Sequence, residues 1–161
     1  MYKIRQATSN DILVLRSIAE RSWLNGHFSS DTKQSALLLL DSFFAVEKIS
    51  GLINDGVQFS LLLEQGLDPA GFVSWSRTPV ALVIHQIYCL PATQGRGYVK
   101  ILINEVARIA RSEGRHTLDM KVASLDLQRH FYESLGFRLV NGEIQTTETD
   151  PAKDHLMRRD L

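Results

Sequence analysis

The chain has 161 residues, the length of one domain, and a chain of that size buries about 70% of its unfolded surface, enough for a full core. Its 18 basic and 18 acidic side chains cancel, which argues against nucleic acid or an anionic membrane as the main partner, since either favours a basic excess. Cys89 is alone and cannot staple the chain, no apolar stretch approaches the roughly 20 residues of a membrane span, and the first residues alternate like a strand rather than a signal sequence, so a reducing, cytoplasmic setting is expected.

Residues 4–8 read as a strand. Ser9, Asn10 and Asp11 then offer caps to a helix on which Ile12, Leu15 and Ile18 share a face, fading near Asn25-Gly26. A polar connector over 27–31 leads to a second helix over 32–52. Its Leu37 to Leu40, Phe43, Phe44, Val46 and Ile49 are too apolar for a solvated helix, so part of that surface meets the sheet, a substrate or a partner. Strands over 57–64 and 71–76 flank a turn over 66–70, and the run 81–90 makes a strand that ends at Pro91. Gln94-Gly95-Arg96-Gly97-Tyr98-Val99 then opens a helix on which Leu102, Val106 and Ile109 recur at helical spacing, with Ile103 and Ala110 beside them. Gly114 ends it, and 117–122 forms a fifth strand. A helix over 126–135 carries Leu127, Phe131 and Leu135 on one face. A strand over 137–140, a polar loop over 142–153 and a last strand over 154–161 complete the chain, without internal repeat or low-complexity tract.

Gly95 and Gly97 let the backbone approach a ligand closely, and the free N–H groups of the following helix start face any anion placed there; a pyrophosphate fits best. Taken alone, the hexapeptide reads equally well as a tight strand-to-helix turn. Arg96 and Lys100 sit close enough to this cradle to meet phosphates, while Lys100, Asn104, Arg108 and Arg111 together form a polar stripe of the solvated kind.

The hexapeptide, following a strand that ends Leu90-Pro91, resembles the acetyl-CoA signature of the GNAT (GCN5-related N-acetyltransferase) superfamily. Gln94 and Gly97 match that pattern, and Val99 takes its final small position. Residues 129–137, with Phe131-Tyr132-Glu133 and Gly136-Phe137, resemble the family's F-Y-E-x-x-G-F signature. The order of elements is also the GNAT order, so the resemblance covers nearly the whole chain and is strongest over 81–140. It implies an α/β GNAT fold in a single domain over 1–161: one mixed, mostly antiparallel sheet of about seven strands, helices on both faces, and fourth and fifth strands splayed to admit the pantetheine arm. It implies acetyl-CoA as donor and direct transfer to an amine in a ternary complex.

Such a reaction needs a neutral amine, a polarised carbonyl and a proton for the departing thiolate. His85, on the strand bordering the splay, is the candidate base, since an alkylammonium with a pKa near 10 must lose its proton; the alternative is a histidine facing the core or surface. The resemblance makes Tyr132 the general acid, or else a packing residue, and gives the carbonyl to the backbone N–H groups of Cys89 and Leu90. It implies cofactor contacts along Gln94, Gly95, Arg96, Gly97, Tyr98, Val99 and Lys100. The asparagine that many relatives carry seven residues before the tyrosine is Leu125 here, so its contact falls to Ser124 or is missing. Cys89 itself reads as a small core-facing residue rather than a nucleophile.

Trp23, His27, Phe28 and Phe43 are candidates to line an acceptor pocket on the side of the first two helices. Ribosomal-protein acetyltransferases resemble one another in a glutamate where Met120 stands, so a small-molecule amine is expected over a peptide. The dispersed histidines suggest no metal site. The other readings are a transferase acting on a protein amine, a non-catalytic acyl-CoA sensor, and a homodimer module built on the leucine-rich second helix.

Overall fold

The computed structural model describes residues 2–24, 59–93, 95–122, 125–140 and 155–161, with the side chains of 23, 24 and 125–128 left aside. Its elements are β1 (Tyr2–Gln6), α1 (Ile12–Leu24), β2 (Phe59–Gln65), β3 (Asp68–Arg77), β4 (Ala81–Cys89), α2 (Tyr98–Ser112), β5 (Thr117–Val122), α3 (Leu125–Ser134), β6 (Arg138–Leu139) and β7 (His155–Asp160). The strands hydrogen-bond in the order β1-β2-β3-β4-β5-β7-β6. β4 and β5 are parallel, joined by the α2 crossover that such a pair requires, while β1 with β2, β5 with β7 and β6 with β7 are antiparallel. This is the mixed α/β sheet the sequence led us to expect. The second helix expected over 32–52 and the loop over 142–153 lie outside the described residues.

The chain forms two compact units, Met1–Ser74 with Gln86–Leu102, and Trp75–His85 with Ile103–Leu161. In the first, Leu15, Ile18 and Ala19 of α1 pack with Ala7, Leu62, Phe72 and Leu90, and Val14 and Tyr88 close the edges. The capping residue lies one position before Ser9, because Thr8 caps a 3-10 turn, Ser9–Asp11, that runs directly into α1 at Ile12. The Thr8 hydroxyl accepts from the Asn10 N–H, and Asp11 accepts from the Thr8 N–H at 2.9 Å. Arg5 ties this turn to the sheet: its guanidinium donates to both Asp11 oxygens at 2.8 and 2.9 Å and to Glu64 at 2.9 Å. That pairing holds the Asp11 carboxyl down at about 2.

Two boundaries moved in this unit. The turn between β2 and β3 is only Gly66-Leu67, and Asp68, Pro69 and Ala70 already belong to β3. Gly66 has φ +65° and, among the described residues, only glycines take positive φ, the pattern of a II′ hairpin turn with glycine first. Pro69, which reads as a loop marker, is tolerated because it stands at the start of its strand.

In the second unit α2 buries Ile103, Val106, Ala107 and Ala110 completely, whereas Ile109 stays half-buried at the rim of the expected face. β5 sets Leu118, Met120 and Val122 inward. On its other face Asp119 stands opposite Arg158 of β7, and the two form a bidentate pair at 2.8 and 3.1 Å. β6 is shorter than the expected 137–140, although Val140 still donates to the Leu156 carbonyl at 2.9 Å. Among the described residues no helix is long and apolar enough to cross a membrane.

Candidate active site

In the first unit the chain leaves β4 through Leu90, makes a 3-10 turn over Pro91–Thr93 and reaches α2 through Gly95 and Gly97. Thr93 fastens the turn: both its N–H and its hydroxyl donate to the Leu90 carbonyl, at 2.9 and 2.6 Å. Gly95 and Gly97 have φ of +85° and +74°, and a Cβ at either would meet nothing within 4 Å. Both glycines are therefore needed for backbone conformation, the left-handed region, rather than for room among protein atoms. The Gly97 carbonyl accepts from Ile101 at 3.0 Å, which makes Gly97 the N-cap of α2. Glycine has no side-chain oxygen to turn back on the first turn, so the N–H groups of Tyr98, Val99 and Lys100 are left for a ligand. The Tyr98 side chain turns inward, with its ring 6.0 Å from that of Tyr2; Val99 is half-buried, and Arg96 and Lys100 are exposed.

The end of β4 was expected to offer two amides to a carbonyl. Leu90 donates its N–H to the Ala70 carbonyl at 2.8 Å, so that amide is occupied by β3. Successive N–H groups of a strand point to opposite edges, which directs the Cys89 N–H away from β3. The Cys89 carbonyl, on the same edge as its N–H, accepts from the Ser22 hydroxyl of α1 at 3.1 Å. The thiol lies against Gly71, where a Cβ would come within 2.7 Å of Sγ and 2.8 Å of the Tyr88 carbonyl oxygen. Burial pushes this thiol up to about 12, which removes it as a nucleophile at neutral pH.

In the second unit the β4–β5 ladder runs from Ala81 against Thr117 to Ile84 against Met120, while β5 continues to Val122 and β4 to Cys89. His85 is thus the first β4 residue past the ladder. Its Nε2 lies 2.7 Å from the Ser76 hydroxyl. Burial, and then the Lys121 ammonium, lower its pKa to about 4, so the ring is neutral across the physiological range.

Tyr132 is placed by the closure of α3. Gly136 donates to the Glu133 carbonyl at 3.0 Å and Phe137 to the Tyr132 carbonyl at 3.1 Å, with Gly136 at φ +94°. This is a Schellman motif, and its usual apolar contact is the Phe137 ring 6.3 Å from that of Tyr132. The Phe131 ring also meets the tyrosine, edge to face at 5.2 Å, and Tyr132 is buried. Glycine and the second phenylalanine of the motif therefore fix the tyrosine through the helix end itself.

A model of the acetyltransferase (GNAT) family matches residues 18–137. The chain belongs to that family. It is an acyltransferase, and acetyl-CoA is its acyl donor. No curated protein sequence matches this GNAT chain. Among solved structures it is similar to the PaiA N-acetyltransferase of Thermoplasma acidophilum in complex with coenzyme A, at 19% identity over 100% of this chain and 99% of that one, with a TM-score of 0.81. It is also similar to the ribosomal-protein-S18-alanine N-acetyltransferase of Escherichia coli, at 19% identity over 100% and 94% of the two chains, with a TM-score of 0.72. The N-acetylglutamate synthase of Neisseria gonorrhoeae, complexed with coenzyme A and N-acetyl-glutamate, matches 100% of this chain but 35% of its own, at 19% identity and TM-score 0.72. At these identities the likeness is one of fold.

Of the other residues singled out in this GNAT sequence, Gln94, Ser124, His27, Phe28 and Phe43 lie outside the described residues, and of Trp23 only the backbone, in α1, is described. Among the described residues no group of three or more His, Cys, Asp or Glu is placed to hold a metal ion. Sequence reading missed Ser22, Gly71 and Ser76. Ser76 had a signal: only three residues separate β3 from β4, so counting back across the turn puts serines near the level of His85.

Proposed function

We propose that this GNAT protein transfers acetyl from acetyl-CoA to the primary amine of a small molecule, directly, within a ternary complex. The observation that carries the reading is the α2 start: a glycine N-cap at φ +74° that leaves first-turn amides uncapped, flanked by exposed Arg96 and Lys100. Those amides, the positive end of the α2 dipole and the two cations suit a pyrophosphate. Bound there, the donor supplies a thioester carbonyl, and the Cys89 N–H, directed away from β3, is the amide available to polarise it. The side chain of Met120 is fully buried between Ile84 and Met157 and offers no carboxylate, which favours a small amine over a peptide N-terminus.

His85 takes the amine proton late. A histidine at about 4 cannot strip a free ammonium near 10, a transfer uphill by about 8 kcal/mol. Once the nitrogen bonds to the carbonyl carbon it becomes far more acidic, and the neutral ring can accept its proton. We assign the Nε2 proton to a hydrogen bond on Ser76, which leaves Nδ1 as the accepting atom. The Tyr132 hydroxyl donates its proton to the departing thiolate. Thiol release from acetyl-CoA, measured over a panel of small amines and of peptides, tests this. Turnover confined to peptides would overturn the small-amine reading, and release with neither would favour the sensor.

A further inference from the structure

Beyond the ladder's end β5 continues with Lys121 and Val122. Paired residues of neighbouring strands share a face, so Val83 and Asp119 lie on one side of the sheet, and two positions further His85 and Lys121 continue that side. The effect of the Lys121 charge on the His85 ring is consistent with this placement. The charges of that face do not cancel. Arg158 is neutralised by its bidentate bond to Asp119, and that carboxylate forms no ion pair with Lys121. The residue opposite Lys121 on β7 is Leu156. Lys121 is half-buried and has no ion-pair partner among the described residues.

We propose that Lys121 is an anion subsite beside His85, and that the acceptor is an amine that also carries a carboxylate, of amino-acid type. The proposal rests on the acetyltransferase reading above and narrows it. The Lys121 ammonium can take a carboxylate oxygen while the amine of the same molecule lies towards the neutral His85 ring. The ammonium of a half-buried lysine, without a counter-ion among the described residues, favours such an anion and disfavours a polyamine, whose second cation would meet a like charge.

Matched pairs that differ only in the carboxylate decide it: histidine against histamine, tyrosine against tyramine, lysine against cadaverine. The wild-type protein should favour the carboxylated member in kcat/KM by about tenfold or more, the usual contribution of a hydrogen bond between charged groups. Lys121→Met should bring that ratio close to one, and Lys121→Arg should keep most of it; a thermal melt of each variant confirms the fold. Equal use of both members by the wild type, or an unaltered ratio in Lys121→Met, overturns the proposal. If no amine releases thiol, the transferase reading fails on its own. Calorimetric titration with N-acetyl-histidine and N-acetyl-histamine in the presence of coenzyme A then still decides the subsite: a preference for the carboxylate that disappears in Lys121→Met supports it, and equal binding overturns it.

Discussion

Replacing Gly97 separates a conformational requirement from a spatial one. Its φ is +74° and an added Cβ would meet nothing within 4 Å, so the penalty of a side chain here is backbone strain. A non-glycine residue held in the left-handed region costs roughly 1–2 kcal/mol, more for a β-branched one and less for asparagine, which visits that region readily. The strain can be met in two ways. Either the bend survives and the fold loses that free energy, about 2–4 °C of melting temperature per kcal/mol for a chain of this length. Or the bend relaxes and draws the Tyr98, Val99 and Lys100 amides away from the ligand, in which case 1–2 kcal/mol is a loss of about 5- to 30-fold in affinity. Thermal melts and calorimetric titration with acetyl-CoA, run together on Gly97→Asn, Gly97→Ala and Gly97→Val, should show losses rising in that order. If Gly97→Val melts and binds like the wild type, the cradle assignment is wrong. If Asn is as damaging as Val, bulk directed at the ligand rather than strain is responsible.

Tyr132→Phe keeps the ring contacts with Phe131 and Phe137, so affinity for acetyl-CoA should change little while turnover falls by about 100-fold, the lower end for a general acid because a thiolate leaves readily; full activity would leave the tyrosine a packing role only. His85→Gln should slow turnover at pH 7 by a similar factor, with the deficit shrinking as hydroxide takes over the proton, and a wild-type rate in the variant would remove His85 from the mechanism. Stability gives the same residue a second test. Its folded pKa of about 4 lies below the ordinary 6.5, so the unfolded chain binds the extra proton between those values and stability falls as pH drops from 6.5 to 4, by about 2 kcal/mol after allowing for solvent at a half-buried ring. Denaturant titrations of His85→Gln should lose that part of the slope across the window, and the same slope in both proteins would refute the shift. Gly71→Ala should destabilise by about 1–3 kcal/mol through contact with Cys89 Sγ and the Tyr88 carbonyl, and adding Cys89→Ala should restore only part of this, since the carbonyl remains; complete rescue would place the whole conflict at the thiol.

What could be read before folding was what is local. Residues 117–122 were expected as a strand and are one, because Leu118, Met120 and Val122 alternate with Asp119 and Lys121 in a short segment between Gly114 and a helix. F-Y-E-S-L-G-F was legible for a related reason: a Schellman closure needs its glycine and its apolar partner at fixed offsets from Tyr132, so the motif is written in consecutive letters. Thr8 was missed as a cap by one residue because the 3-10 turn in front of α1 shifts the start without changing the apolar face. The unread part of the site is of a different kind. Ser22 reaches the Cys89 carbonyl across 67 positions, and the Leu90 amide is claimed by Ala70 only because β3 comes to lie beside the end of β4. No short-range pattern announces such pairings. The same distinction divides the function. The proposed donor site is a helix start, a local device that sequence displays, whereas the proposed acceptor preference turns on which charges remain uncancelled on a sheet face. That cancellation depends on Arg158, rather than a neutral residue, standing opposite Asp119, a matter of β5–β7 register. A one-residue slip would turn Arg158 to the other face and leave Asp119 to neutralise Lys121, so an acceptor preference in this family can change through strand register while both donor motifs stay intact.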